Sequence, residues 1–153
     1  MRAAVLTIST SLAAGEGEDV SGPRLAALAG EAGCDVSGVE VVPDERERIV
    51  AALRVLVDAG TTFVFTTGGT GLTPDDVTPE ATRAVIEREA PGFAEAMRAA
   101  SLEHTPLGIL TRGVSGVAGR TLIVNFPGNP KAIDQLWPVL APTLKHAAET
   151  LNR

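Results

Sequence analysis

The residues best placed to do chemistry are the glycines and acids of one stretch, Thr66-Thr67-Gly68-Gly69-Thr70-Gly71-Leu72-Thr73-Pro74-Asp75-Asp76-Val77-Thr78-Pro79-Glu80. Gly68, Gly69 and Gly71 allow φ > 0 and a close approach of backbone to ligand. Successive amide N–H groups in such a turn form a concave anion site. The helix expected from Pro79 onward turns its positive end towards the same place. Asp75 and Asp76 lie inside this otherwise anion-friendly loop. Glycines alone point to phosphate; glycines with carboxylates point to phosphate plus a metal ion. Mg²⁺ suits such a site, because one or two carboxylates and a substrate's phosphates are enough to hold it, and Asp76 with Asp44 would supply the protein's share.

Other chemistries fit less well. No Lys follows Gly71, so the phosphate-binding signature of P-loop triphosphatases is absent, and Pro74 stands where a dinucleotide fingerprint needs its last glycine. His104 and His146 are isolated and Cys34 is single, so no zinc-ligand spacing exists. Ser, His and Asp show no nucleophilic triad arrangement. What remains is phosphoryl or nucleotidyl transfer by positioning, with a metal and backbone dipoles stabilising charge. Lys131 either neutralises a phosphate or solvates a helix start.

Composition narrows the partners. The chain has 153 residues, 44% of them hydrophobic but only 3% aromatic, and a formal charge of −6. The length fits a single domain, 1–153, with a sizeable core. The acidity argues against nucleic acid and anionic membranes, which need a basic footprint. No stretch is long enough to span a bilayer and the N-terminal apolar run is too short for a signal sequence, so a cytoplasmic protein is expected. The lone cysteine fits a reducing compartment.

Alternating strand and helix signals must position the loop. Strands are expected at 3–8, 35–42, 62–66, 107–112 and 121–126, the first followed by a polar loop from Ser9 to Val20. Pro23 opens a helix carrying Leu25, Leu28 and Ala29. Asp44 reads as an N-cap with Glu47 completing a capping box, a role compatible with a place in the site. Thr78 reads as the cap of the helix beginning at Pro79, with Val85 and Ile86 as its anchors. A second short helix carries Phe93, Met97 and Leu102. Pro127-Gly128-Asn129-Pro130 is a turn, and Pro138 and Pro142 should kink or split the last helix. The result is an α/β fold with a mostly parallel sheet. Ligands of such sheets sit at the carboxyl ends of the strands, where the loop after strand one, Asp44, the glycine loop and the Gly128 turn would converge.

Thr67 to Gly71 with Asp76-Val77-Thr78-Pro79-Glu80-Ala81-Thr82 resembles the signature of the molybdopterin-binding family, which includes MogA/MoaB-type proteins and the corresponding domain of gephyrin-like proteins. Asp19-x-Ser21-Gly22-Pro23, Val42-Pro43-Asp44-Glu45, Pro91-Gly92-Phe93, Leu110-Thr111-Arg112 and Asn125-Phe126-Pro127-Gly128-Asn129-Pro130 follow in the family's order. The resemblance covers nearly the whole chain. It implies a three-layer α/β/α sandwich assembled as a homotrimer, acting in molybdenum cofactor biosynthesis. The implied reaction is adenylylation of molybdopterin by ATP, with Mg²⁺ required, giving adenylyl-molybdopterin and pyrophosphate. It assigns Gly68, Gly69, Thr70 and Gly71 to a phosphate cradle, and Asp44 and Asp76 to catalysis and metal. Thr111, Asn125, Gly128, Asn129 and Pro130 would contact the pterin substrate, and Thr10, Ser21 and Gly22 the nucleotide. A molybdenum-inserting enzyme of the same pathway is an implied partner.

Departures from the family pattern are few. Thr10 replaces an Asp, Thr111 replaces a Ser, and Asp75 replaces an Arg. Two unit charges within hydrogen-bonding range interact by about 4 kcal/mol at an effective dielectric constant near 20, so Asp75 is compatible with a bound phosphate only if it faces solvent or metal. Thr10 and Asp75 are also what a non-enzymatic molybdopterin-binding or carrier homologue would show. A relative of the competence-damage proteins is the weakest reading, for want of a second domain.

Overall fold

The computed structural model describes residues 1–153. Strands β1 (Arg2–Ile8), β2 (Asp35–Val42), β3 (Phe63–Thr67), β4 (Arg88–Glu89), β5 (Ser115–Ala118) and β6 (Thr121–Phe126) form one sheet in the order β2-β1-β3-β6-β5-β4. The β2-β1-β3-β6 part is parallel; β5 and β4 add antiparallel pairs at one edge. Helices α1 (Thr10–Ala13), α2 (Ser21–Glu31), α3 (Arg46–Asp58), α4 (Thr78–Arg83) and α5 (Pro91–Leu102) lie in the connections, and α6 (Pro130–Leu140) and α7 (Leu144–Leu151) follow the last strand.

Strand periodicity divides the core between the two faces. In β3, Phe63 and Phe65 face one layer while Val64 faces the other; in β6, Leu122, Val124 and Phe126 oppose Ile123 in the same way. The first face packs against Leu25 and Ala29 of α2, Met97 of α5, Ile133 and Trp137 of α6, and Leu144 of α7. The second packs against Ile49 and Leu53 of α3 and Ala81 of α4. These layers give the expected three-layer α/β/α sandwich. No helix is long and apolar enough to cross a membrane.

Several local expectations give way to tertiary contacts. Residues 107–112 form no strand: Pro106–Leu110 makes 3₁₀ turns, begun by the Thr105 hydroxyl accepting from Leu107 N at 3.2 Å. The segment folds back onto α5, and a Cβ at Gly108 would lie 2.8 Å from Ser101 Oγ. The antiparallel neighbour of β6 is instead β5, joined to it through Gly119 at φ 57°. The loop after β1 contains α1, capped by Ser9 Oγ, which accepts from Leu12 N at 3.3 Å. Asp44 is no N-cap, because its carboxylate is bonded to Thr10; Glu45 holds the cap position without a side-chain bond. Thr78 lies inside the first turn of α4, and its hydroxyl donates to the Gly68 carbonyl. Helix α4 stops at Arg83, leaving Val85 and Ile86 half-buried against the second face. Pro142 lies in a 3₁₀ turn, Ala141–Thr143, that separates α6 from α7, so the last helix is split as expected.

The centre of the first face is aromatic. The Phe65 ring lies 5.3 Å from Trp137, 5.9 Å from Phe63 and 6.1 Å from Phe126 by centroids. Phe65→Ala should lower unfolding stability by about 3–5 kcal/mol, the usual range for losing a buried aromatic ring. Urea denaturation will measure it, and a loss below 1 kcal/mol, roughly the lower edge for core methyl deletions, would show that this cluster does not centre the core.

Candidate functional site

The strands end where the candidate residues begin. β1 leads into Ser9 and α1, β2 into Pro43 and Asp44, β3 into Gly68, and β6 into Pro127 and Gly128. These strands are parallel, so all four loops emerge at their carboxyl ends, the usual ligand edge of an α/β sheet.

Direct bonds tie the loops together. Gly68 N donates to the Phe126 carbonyl at 3.1 Å, Thr67 Oγ1 donates to the Pro127 carbonyl at 2.8 Å, and Ser21 Oγ donates to the Gly128 carbonyl at 3.2 Å. Gly68 and Gly69 have φ of 101° and 67°, a region that favours glycine. A Cβ at Gly68 would overlap the Ile8 carbonyl oxygen, and one at Gly128 would come within 3.2 Å of Gly68 Cα. The two turns touch backbone to backbone. Beside them opens a cleft of about 430 Å³, bordered by Ser9, Glu18, Asp19, Ser21, Gly68 and Gly128.

The glycine loop uses its carbonyls internally and leaves its amides free. Gly68 O accepts from Thr78 Oγ1 at 2.9 Å and Gly69 O from Thr78 N at 3.1 Å. Thr70 O accepts from Arg112 N at 2.8 Å, and Gly71 O from Arg112 Nε at 2.8 Å. A trans peptide points the N–H of the next residue opposite to its carbonyl. The N–H groups of Gly69, Thr70, Gly71 and Leu72 therefore turn away from these anchors, and none donates within the chain. Consecutive amides presented in this way attract anions.

A carboxylate stands at each end of this row. Asp44 Oδ2 accepts from Thr10 N at 2.9 Å and Thr10 Oγ1 at 3.0 Å, and Asp44 N donates back to Thr10 Oγ1 at 3.0 Å. Its Oδ1 is left without a partner, 3.1 Å from where a Cβ on Gly69 would stand. Asp76 Oδ2 accepts from Thr73 N at 3.0 Å and Thr73 Oγ1 at 2.8 Å, while its Oδ1 is likewise unpartnered. Asp75 is exposed. No three acids, histidines or cysteines cluster to hold a metal by themselves. A hard cation here would draw on single oxygens of Asp44 and Asp76 and on phosphate oxygens, which suits Mg²⁺.

The remaining candidates surround this centre. Thr70 is buried, and Thr111 Oγ1 lies 3.5 Å from its hydroxyl. Asn125 is buried beneath the loops: its Nδ2 donates to Thr66 Oγ1 at 2.9 Å and Thr82 Oγ1 at 3.0 Å, and its Oδ1 accepts from Val114 N at 3.1 Å. Both amide hydrogens are thus committed within the protein. Asn129 caps α6, its Oδ1 accepting from Lys131 N at 2.9 Å, and Pro130 is the first residue of that helix. Gly22 N donates to Asp19 Oδ1 at 3.0 Å, and Asp19 Oδ2 accepts from Thr7 Oγ1 at 2.7 Å. Cys34 is buried in the first core, and burial raises its thiol pKa.

Two residues escaped the sequence reading. Asp19 fixes the start of α2 against β1, and Arg112 holds the glycine loop. Each lay inside a recognised motif without a role. The available signal was that each motif contains one charged side chain in an otherwise small or apolar setting.

Arg112 also pairs with Glu80, Nη1 to Oε1 at 2.5 Å. That hydrogen bond, opposed by partial burial, holds the Glu80 carboxyl below its ordinary range. A carboxylate with a lowered folded pKa stabilises the fold above its unfolded value and loses that effect as pH falls through the folded one. Glu80→Gln should therefore lower stability at neutral pH, by about 0.2–1 kcal/mol for so exposed a pair. The gap from the unmodified protein should close in acid. Thermal melts across pH will show it; a gap independent of pH would remove the ion pair as its cause.

Comparison with known proteins identifies the family and the fold. Residues 4–146 match the family model described as "Probable molybdopterin binding domain". The chain is 41% identical over 151 residues to the molybdenum cofactor synthesis protein cinnamon of Drosophila melanogaster, covering 97% of this chain and 25% of that protein. It is 42% identical over 138 residues to the molybdopterin adenylyltransferase of Haemophilus influenzae, covering 88% of this chain and 70% of that one. The crystal structure of the molybdopterin biosynthesis enzyme MoaB from Thermus thermophilus superposes with a TM-score of 0.92 at 42% identity, over 98% of this chain and 95% of the other. The chain thus spans only a quarter of the Drosophila relative but nearly all of a MoaB fold, and it belongs to the molybdopterin-binding-domain family of molybdenum cofactor biosynthesis.

Proposed function

We propose that the protein is a molybdopterin adenylyltransferase. The observation that carries this reading is the row of free amides from Gly69 to Leu72, flanked by half-free carboxylates at Asp44 and Asp76. Such a row receives a phosphate, and the carboxylates address a cation bound to it. The 42% identical Haemophilus influenzae relative, named as this transferase, supports the choice of substrates.

In the proposed reaction the terminal phosphate oxygen of molybdopterin attacks the α-phosphorus of ATP. A P–O bond forms, the bond to the β-phosphate's bridging oxygen breaks, and pyrophosphate leaves. The Gly69–Leu72 amides hold phosphoryl oxygens as negative charge shifts between them. Asp44, pinned by Thr10, and Asp76, pinned by Thr73, keep their free oxygens in place. Mg²⁺ held by these oxygens would neutralise phosphate charge. Thr10, Ser21 and Gly22 border the nucleotide, and Thr111, Gly128, Asn129 and Pro130 frame the pterin side. Asn125 acts from below, through Thr66 and Thr82. Asp75 is exposed, which suits its facing solvent.

Incubation with molybdopterin, labelled ATP and Mg²⁺ tests the reading. Label should appear on molybdopterin, and Asp76→Ala should cut transfer by about 100-fold or more, as loss of a charge-stabilising group does, without altering the circular dichroism spectrum. Tight pterin binding with no AMP transfer would instead support a carrier.

The proposal extends to a cytoplasmic homotrimer that hands its product to a molybdenum-inserting enzyme. Surface apolar area supports assembly: Leu107 and Ile109 are 66% and 69% exposed, and an apolar cleft of about 570 Å³ lies between Phe93, Val117 and Leu151. Sedimentation should return about three times the 15.8 kDa chain mass; a monomer at micromolar concentration would refute the trimer.

A further inference from the structure

We propose that Arg112 is the positioning residue that converts the glycine loop into an anion site. The inference rests on the reading that the Gly69–Leu72 amides receive a phosphate. Arg112 commits one fork of donors to three separated points of the loop and the helix after it. Nε donates to Gly71 O at 2.8 Å, Nη2 to Asp76 O at 2.7 Å, and Nη1 to Glu80 Oε1 at 2.5 Å. Its main-chain N–H adds the bond to Thr70 O at 2.8 Å.

The consequence follows from peptide geometry. Drawing the carbonyls of Thr70 and Gly71 towards Arg112 turns the N–H groups of Gly71 and Leu72 the other way. Thr78 does the same, through Gly68 and Gly69, for the N–H groups of Gly69 and Thr70. One half of the amide row is thus set by the first residue of α4, and the other half by a residue 41 positions from Gly71. The bond to Asp76 O anchors the backbone of the candidate metal ligand as well. Glycines have no conformational preference that would hold this arrangement unaided.

Shape, rather than charge, is the contribution of Arg112. Glu80 neutralises its guanidinium at close range. A Lys would keep the charge, but a single ammonium cannot reproduce a planar fork that spans three acceptors. Each nitrogen of the Arg112 guanidinium is bonded within the protein, so Arg112 acts through the loop.

The test uses the full chain with Arg112→Ala and Arg112→Lys, and inorganic pyrophosphate with Mg²⁺ as the calorimetric probe of the loop. Arg112→Ala should weaken pyrophosphate binding by about tenfold or more, the scale of lost charge-assisted hydrogen bonds. Arg112→Lys should weaken it nearly as much, despite retaining the charge. Methylguanidinium should restore a substantial part of binding to Arg112→Ala and none to Asp76→Ala. Binding by Arg112→Lys equal to that of the unmodified protein would overturn the proposal, as would unchanged binding by Arg112→Ala. If Arg112→Ala fails to fold, the lysine variant decides alone. Should the unmodified protein bind pyrophosphate and transfer no AMP while both variants lose binding, the positioning role stands and the transferase reading falls. Should both variants bind and transfer like the unmodified protein, the transferase reading stands and the positioning role falls.

Discussion

A peptide unit can offer its N–H to a ligand only by sending the preceding carbonyl the opposite way, and a buried carbonyl needs a donor. The strand-to-helix turn after β3 satisfies this constraint by placing Thr78 and Arg112 on the carbonyl side. Much of the architecture serves that arrangement. Parallel pairing of β1, β3 and β6 brings their ends level. The Gly68–Phe126 and Thr67–Pro127 bonds then lock the glycine loop to the last parallel strand. The antiparallel β5–β6 hairpin returns the chain to the sheet after Arg112 has bonded the loop.

The proposed phosphate site meets an electrostatic difficulty. A chain with a formal charge of −6 binds polyphosphates only if local dipoles and a cation outweigh its overall field. Free amides supply the dipoles without adding side-chain charge. Asp44 and Asp76 would repel phosphate if bare, yet each has one oxygen occupied by hydroxyl and amide donors, from Thr10 and Thr73 respectively. Each carboxylate is thereby held in one orientation with its other oxygen free, an arrangement that would suit sharing a metal with the anion it would otherwise oppose.

The parallel half of the fold and the glycine loop could be read from sequence because their signals are local. Short apolar, β-branched and aromatic runs mark β1 and β3, and glycine, proline and acid spacing marks the turn between β3 and α4. What could not be read depends on distant contacts. The Asp44-x-x-Glu47 pattern satisfies a local capping rule, but Asp44 is drawn away by Thr10, 34 residues earlier. Residues 107–110 are apolar enough for a buried strand, yet Leu107 and Ile109 are exposed, because Pro106 and the contact of Gly108 with α5 turn the chain aside. Strand β4 has only Arg88 and Glu89, too few residues to carry a period. Arg112 stood in the Leu110-Thr111-Arg112 motif without a role, which exists only once the carbonyls of Gly71 and Asp76 are brought to it.

Where Gly68 meets Gly128, part of the cleft floor is bare main chain. There mutation has little to adjust, because a Cβ at Gly68 would overlap the Ile8 carbonyl oxygen and one at Gly128 would crowd Gly68 Cα. Thr10, Asp75 and Thr111, the positions at which this chain leaves the family pattern, all lie outside that floor. The chain thus keeps its own departures from the family pattern away from the one place in the cleft where main chain meets main chain.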